Sequence, residues 1–394
     1  MPARRAIGLW ISGIVGVAAV AGLLTVRFMP SKGRRAAQPA APVVFDESTP
    51  LPALTQALRE SDGRALAVLF QKSTTPADTP PKALADAEAA EWVEALNAVR
   101  TGFLKFGSYG RSSALVVAGR VLQRFGVEPA PASWAEARKP AADLLQIGLN
   151  DADLDVRVSA LVEIGRLWSW LPGRPMTSAE EAQLAEWKEG FHKPVVRLLG
   201  DRAPKARAAA VACLGYLPVN AAAAPALAYL DDPASPDVRK QVLVSFARRP
   251  SLLTEDAILK HMFDADPTVV STAELVLKAR GLTQEQISLG SMIFHPKAAI
   301  RASVIPLLKE RTDVDPVVWL LQLSRDGDEQ VRLGAVEALA SRLSPEAGQR
   351  IAEMAATDKS PAVRRAASKH LPESEKTAAL PPLPGSPALN PKAN

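Results

Sequence analysis

The sequence predicts an all-α solenoid: stacked helix pairs, each of about 31 residues. Three observations carry this. A motif recurs along the chain at nearly constant spacing, the apolar positions inside each copy follow a helical period, and prolines fall where one helix hands over to the next. The strings at 149–165, 199–215 and 324–340 superimpose without gaps. Aligned on a basic residue, the copies fall at Arg157, Arg207, Arg239, Arg301, Arg332 and Arg364, with Val270 standing in once, and successive spacings are 50, 32, 31, 31, 31 and 32 residues. Repeats of this length mean units that bury their apolar faces only against their neighbours.

Taken in order, the chain opens on residues 1–35, with six basic residues and no acid. Residues 6–26 hold no charge and, as a helix, reach about 31 Å, the thickness of a bilayer core. They are expected to form a single transmembrane helix rather than a cleaved signal, because Arg27, Lys32, Arg34 and Arg35 separate them from any small-residue cleavage site. That makes the expected localisation a single-pass membrane protein. The side occupied by the body is left open, since the basic flank and the short amino tail point in opposite directions. Residues 36–50 read as a Pro/Ala-rich linker.

Residues 51–126 read as a helical N-terminal region of degenerate repeats: two short helices broken at Ser61-Asp62-Gly63, a long helix over 83–106, and another over 111–125 after Gly107-Ser108-Tyr109-Gly110. Thr74–Pro81 and Val127–Pro131 read as loops. The array proper is expected over 141–372. Each unit has an apolar first helix, a turn bearing Pro204, Pro233, Pro267, Pro296 or Pro361, and a second helix apolar at anchor −1, +3 and +7, as in Val331, Ala335 and Leu339. Proline suits these turns because the first helical turn needs no amide donor, and the three positions form one helical stripe. Residues 373–394 are proline-rich and expected to be a disordered tail.

An aspartate lies six residues before the anchor at Asp151, Asp201, Asp264, Asp326 and Asp358; Asp232 lies seven before Arg239, and His295 takes the place once. In the turn before a helix a carboxylate accepts backbone N–H bonds. The regular recurrence marks a structural signature rather than a catalytic set, with the arginines bridging to the aspartates within or between repeats. At Asp151/Arg157, Asp201/Arg207, Asp326/Arg332 and Asp358/Arg364 the sequence resembles the HEAT-repeat family, in the short bacterial form seen in phycobilisome-lyase-like proteins. The Asp264 unit departs from that pattern by lacking the arginine, and the Arg301 unit by lacking the aspartate. The resemblance implies an α-solenoid scaffold that binds proteins.

Charge and motifs narrow the function classes. The chain carries +5, but with six basic residues in 1–35 the remainder carries −1, which argues against nucleic acid as a partner. The lone cysteine, Cys213, sits among apolar residues and reads as a small buried hydrophobe. The four histidines are at least 34 residues apart, and no phosphate-binding, metal-protease or nucleophile-elbow motif occurs. No catalytic, cofactor-binding or metal site is therefore expected. Two features are candidate partner sites. Arg249, Arg280, Arg311 and Arg342 stand at anchor +10 in four consecutive units. They read either as cations complementing helix ends or as a stripe that receives an acidic segment. The 50-residue interval holds about 19 extra residues with Trp168, Trp170 and Trp187, read either as a lengthened helix pair or as a projecting interface. The expected function is a membrane-anchored, non-enzymatic scaffold for a protein partner. The alternative is an accessory subunit of an enzyme or of a chromophore-attachment system.

Overall fold

A computed structural model describes residues 44–73, 86–123, 132–170, 178–311, 314–342 and 344–371. The chain divides into two units, Met1–Val44 and Phe45–Asn394, and the second is described here. Its described residues are helical, with no strand among them. They form nine helix pairs: α1 (Leu51–Arg59) with α2 (Gly63–Ser73), α3 (Asp86–Gly102) with α4 (Ser108–Gln123), α5 (Ala132–Gly148) with α6 (Leu154–Trp170), and α7 (Ser178–Leu198) with α8 (Pro204–Gly215). Then come α9 (Asn220–Ala223) with α10 (Pro236–Ser245), α11 (Glu255–Lys260) with α12 (Pro267–Ala279), and α13 (Gln284–Ile293) with α14 (Ala298–Glu310). The last pairs are α15 (Pro316–Leu323) with α16 (Glu329–Ala340), and α17 (Pro345–Thr357) with α18 (Pro361–Lys369).

The local chemistry that starts each helix is plain. Proline opens α8, α10, α12, α15, α17 and α18, where its missing N–H costs nothing. Asp266, Asp315, Asp328 and Ser360 cap the helices that follow them. Thr283 and Gln286 form a reciprocal capping box on α13. The first helix of the fifth pair is short, four residues of α9 running into a 3-10 segment at Ala224–Asp231 that opens with Pro225, which has no amide to continue an α-helical ladder.

The second helices stack on one another in sequence from α2 to α12, and again from α14 to α18. The positions at anchor −1, +3 and +7 supply the core: Val238 and Val242 in α10 with Phe246 at its C-cap, and Val331, Ala335 and Leu339 in α16, are all fully buried. The four helices α1–α4 stack in the same manner as the pairs that follow them.

The expectation of a single-pass membrane localisation is corrected. Among the described residues no helix is long and apolar enough to cross a membrane. Residues 6–26, on which the transmembrane helix and membrane contact were expected, lie outside the described residues, as do 1–35, most of the 36–50 linker, the loops at 74–81 and 127–131, and the 373–394 tail.

Candidate interaction surfaces

The repeat signature is internal. Five of the six anchor arginines grip the aspartate of the next repeat: Arg157 to Asp201, Arg207 to Asp232, Arg239 to Asp264, Arg301 to Asp326 and Arg332 to Asp358, each through two hydrogen bonds of 2.6–3.2 Å. The same guanidinium donates from Nη1 to the carbonyl of its own turn, as Arg332 does to Asp326 O at 2.9 Å and Arg364 to Asp358 O at 2.6 Å. Each aspartate in turn accepts the N–H two residues on, as Asp326 accepts from Asp328 at 2.7 Å. Every rung thus fixes two turns at once through charge-assisted bonds. The ladder begins one repeat earlier than the sequence motif: Arg111 of α4 pairs with Asp151, Nε to Oδ2 at 2.9 Å. The 46-residue interval between Arg111 and Arg157 hides this rung from a search for a 31-residue period.

The +10 arginines point along the stack. Arg249 donates from Nη2 to Gly215 O at 3.1 Å and to Leu217 O, at the end of α8. Arg280 donates to Ala247 O at 2.8 Å and Phe246 O at 3.3 Å, at the end of α10, and only 8% of its side chain is exposed. Burial lowers its pKa from the ordinary arginine value, with Glu255 acting in the opposite sense. Arg311 and Arg342 are half-buried, Arg342 with its Nε enclosed. The structure therefore does not gather Arg249 and Arg280 into an exposed row; their charges meet the orphan carbonyls of the preceding second helix.

The insertion lengthens α6 and α7 to 17 and 21 residues. Trp168 is in the core, the side chain of Trp170 falls outside the described residues, and Trp187 is half-buried on α7. Trp187 lines a groove of about 860 Å³ with Val93, Arg100, Lys139, Asp143 and Phe191 of α3, α5 and α7. The Arg100–Asp143 ion pair, 2.7 Å, bridges α3 and α5 beside it.

A different surface runs along the second helices. The residue at anchor +5 is uncharged in six consecutive units: Val116, Val162, Ala212, Val244, Leu275 and Pro306. Val162, Val244 and Leu275 are 37%, 47% and 66% exposed. Three or four residues on, and so on the same helical face, stand Arg166, Arg248, Lys278 and Lys309. Arg166 reaches Glu163 at 2.7 Å and Lys278 reaches Glu274 at 2.7 Å. Arg248 and Lys309 are exposed and make no ion pair among the described residues. The row ends at α16, where position +5 becomes Glu337, which meets His370 at 3.2 Å. Sequence reasoning passed over this surface because it took the exactly periodic +10 arginines. Counting three or four residues on from the exposed apolar position finds it.

Cys213 is buried and burial pushes its thiol pKa well up. Among the described residues no three His, Cys, Asp or Glu side chains are placed to hold a metal.

Residues 316–384 match the family model described as HEAT repeats. The match takes in the last two helix pairs, α15–α18. No curated protein matches the chain. Three solved structures resemble it at low identity. An engineered protein is 16% identical, covering 85% of this chain and 92% of its own, with a TM-score of 0.40. A designed armadillo repeat protein in complex with the peptide (KR)4 is 16% identical, covering 74% and 98%, with a TM-score of 0.32. A structure of microtubule polymerases with tumor overexpressed gene domain arrays is 14% identical, covering 84% and 76%, with a TM-score of 0.34.

Proposed function

We propose that the chain is a non-enzymatic scaffold that holds a protein partner along the exposed face of its second helices, and that the partner presents an acidic, amphipathic segment. The observation that carries this reading is the apolar row at Val162, Val244 and Leu275 flanked by Arg166, Arg248, Lys278 and Lys309. Apolar side chains exposed at equivalent positions of several second helices favour burial against a partner. Cations along one edge select a partner with carboxylates opposite them. The ladder ion pairs cancel one for one and leave the body's near-neutral total as it is; what bears on the partner is the local set of cations on this face.

A photo-crosslinking residue in place of Leu275 tests the reading. It should trap a partner whose attached peptide is rich in Asp or Glu and apolar residues. The yield should fall in an Arg248→Gln/Lys309→Gln chain and at high salt, since exposed charges are screened over about 8 Å at physiological ionic strength. Trapping only from the Trp187 position, with none from Leu275 or Val244, would move the partner to the α3–α5–α7 groove.

A further inference from the structure

The arginine–aspartate ladder has one missing rung. Where every other second helix from α4 to α16 presents an arginine to the next repeat, α12 presents Val270. Where the following turn should offer an aspartate, it offers His295. The two halves of the rung are lost together, so neither a guanidinium nor a carboxylate is left without its partner. His295 keeps the part of the job that is local to its own repeat: its Nδ1 accepts the Lys297 N–H at 2.9 Å, and Arg301 still donates to the His295 carbonyl at 2.8 Å. Only the link back to α12 is gone.

Packing divides at the same boundary. One buried apolar cluster runs from Leu51 to Ile287 and a second from Leu289 to Leu371, with Phe294 touching both. Stacking of consecutive second helices lapses between α12 and α14. At the ends of the first helices the boundary is crossed by an edge-on ring pair, Phe263 with His295 at 4.9 Å, and by the Lys260 ammonium 5.9 Å from the Phe294 ring. Both tolerate sliding and rotation far better than a bidentate ion pair does. On the side of the first helices the two halves meet closely. Gly290 of α13 sits against Leu259 of α11, so near that a Cβ on the glycine would lie 2.9 Å from the leucine methyls.

From these features we infer that the α12–α14 boundary is a hinge. The pivot is the Gly290–Leu259 contact between first helices, and the opening is between the second helices, where the rung is missing. Leu275 and Lys278 lie on one arm and Pro306 and Lys309 on the other, so rotation about this pivot changes the spacing along the exposed second-helix face. A solenoid whose other described boundaries from α4 to α18 are bolted concentrates its flexing at the one that is not. The inference stands on the geometry alone and holds whether or not that face binds the partner proposed above.

Distance distributions between spin labels test it in the full chain, with Cys213→Ala removing the native thiol. Labels at Gln241→Cys and Ser303→Cys span two boundaries, one of them the seam. Labels at Ser159→Cys and Gln241→Cys span two bolted boundaries. Each pair is separated by about 20 Å, at 8–10 Å per packed helix. The seam pair should show a distribution at least twice as wide as the control pair. Restoring the rung with Val270→Arg and His295→Asp, both at half-exposed positions, should narrow it to the control width. A seam distribution as narrow as the control in the chain with its native Val270 and His295 overturns the hinge, and this comparison does not depend on how the restored variant folds. A wide seam that the restored rung leaves unchanged overturns the missing rung as its cause.

Discussion

Glu163 is the residue whose environment is least comfortable. It lies on α6 with its side chain 2% exposed, pressed on Gly119 of α4 so closely that a Cβ there would fall 2.4 Å from Oε2. Burial raises its pKa from the ordinary 4.5 to about 7, against the partial opposition of Arg166 and Arg120. A folded value above the unfolded one means that stability present at low pH is lost as pH rises towards 7. Glu163→Gln should therefore stabilise the protein by about 2 kcal/mol at pH 8 and change little at pH 4.5, allowing for partial hydration of the site; equal effects of the change on melting temperature at the two pH values would refute this. The ladder aspartates behave in the opposite sense. Burial would raise Asp232, Asp264, Asp326 and Asp358, but bonds from the arginines and from backbone N–H groups outweigh it and hold all four below the ordinary value. Their contribution is present above about pH 4 and lost as pH falls through the folded values. Arg332→Met removes one partner of a pair whose side chains are only 4% and 6% exposed. It should cost about 3 kcal/mol at pH 7, and the cost should shrink as pH falls through the Asp358 titration; denaturant melts across that range measure the difference.

Within a second helix, adjacent positions do different work. Arg249 closes the end of α8 while Arg248, one residue earlier, is exposed. Arg249→Gln and Arg280→Gln should each cost about 1 kcal/mol through loss of a cation at a helix C-terminus, whereas Arg248→Gln should leave stability within about 0.5 kcal/mol. A thermal-melt series across the three variants checks this, and equal losses would show that the two faces are not distinct. Much of this architecture is legible in the sequence. The prolines, the Asp-to-Arg spacing and the +7 apolar residue give the helix pairs and their register. The direction of each rung is not, because a six-residue spacing fits a bond within a repeat as well as one to the next. Nor is the exposed row: its cations stand at +9 in two units and +8 in two others, so no fixed period marks them, and each step of one residue turns the side chain by about 100°. The start of α4 was displaced as well. It begins at Ser108, whose hydroxyl bonds Asp153 at 2.5 Å from the neighbouring repeat, a contact that no local signal near Gly107 announces.

Across the whole array the same two departures from the motif change meaning. In sequence, Val270 and His295 are separate blemishes in two successive units. In the fold they are the two ends of one rung, and the division of the apolar core falls beside them. An array whose units contact only their neighbours transmits destabilisation from unit to unit through its interfaces. A boundary lacking its rung and much of its packing should stop that transmission. Leu339→Ala, in the core of α16, should cost about 2–5 kcal/mol through the cavity it leaves. Amide exchange should then quicken across α14–α18 and remain unchanged in α8–α12, with the step at the seam. In a chain that also carries Val270→Arg and His295→Asp, the restored rung should let the effect of Leu339→Ala spread into α12 and α10. Exchange that quickened evenly from α6 to α18 in the single variant would mean that the two cores unfold as one. Exchange that quickened only in α15 and α16, the pair that carries the cavity, would mean that every boundary, and not this one alone, limits the coupling.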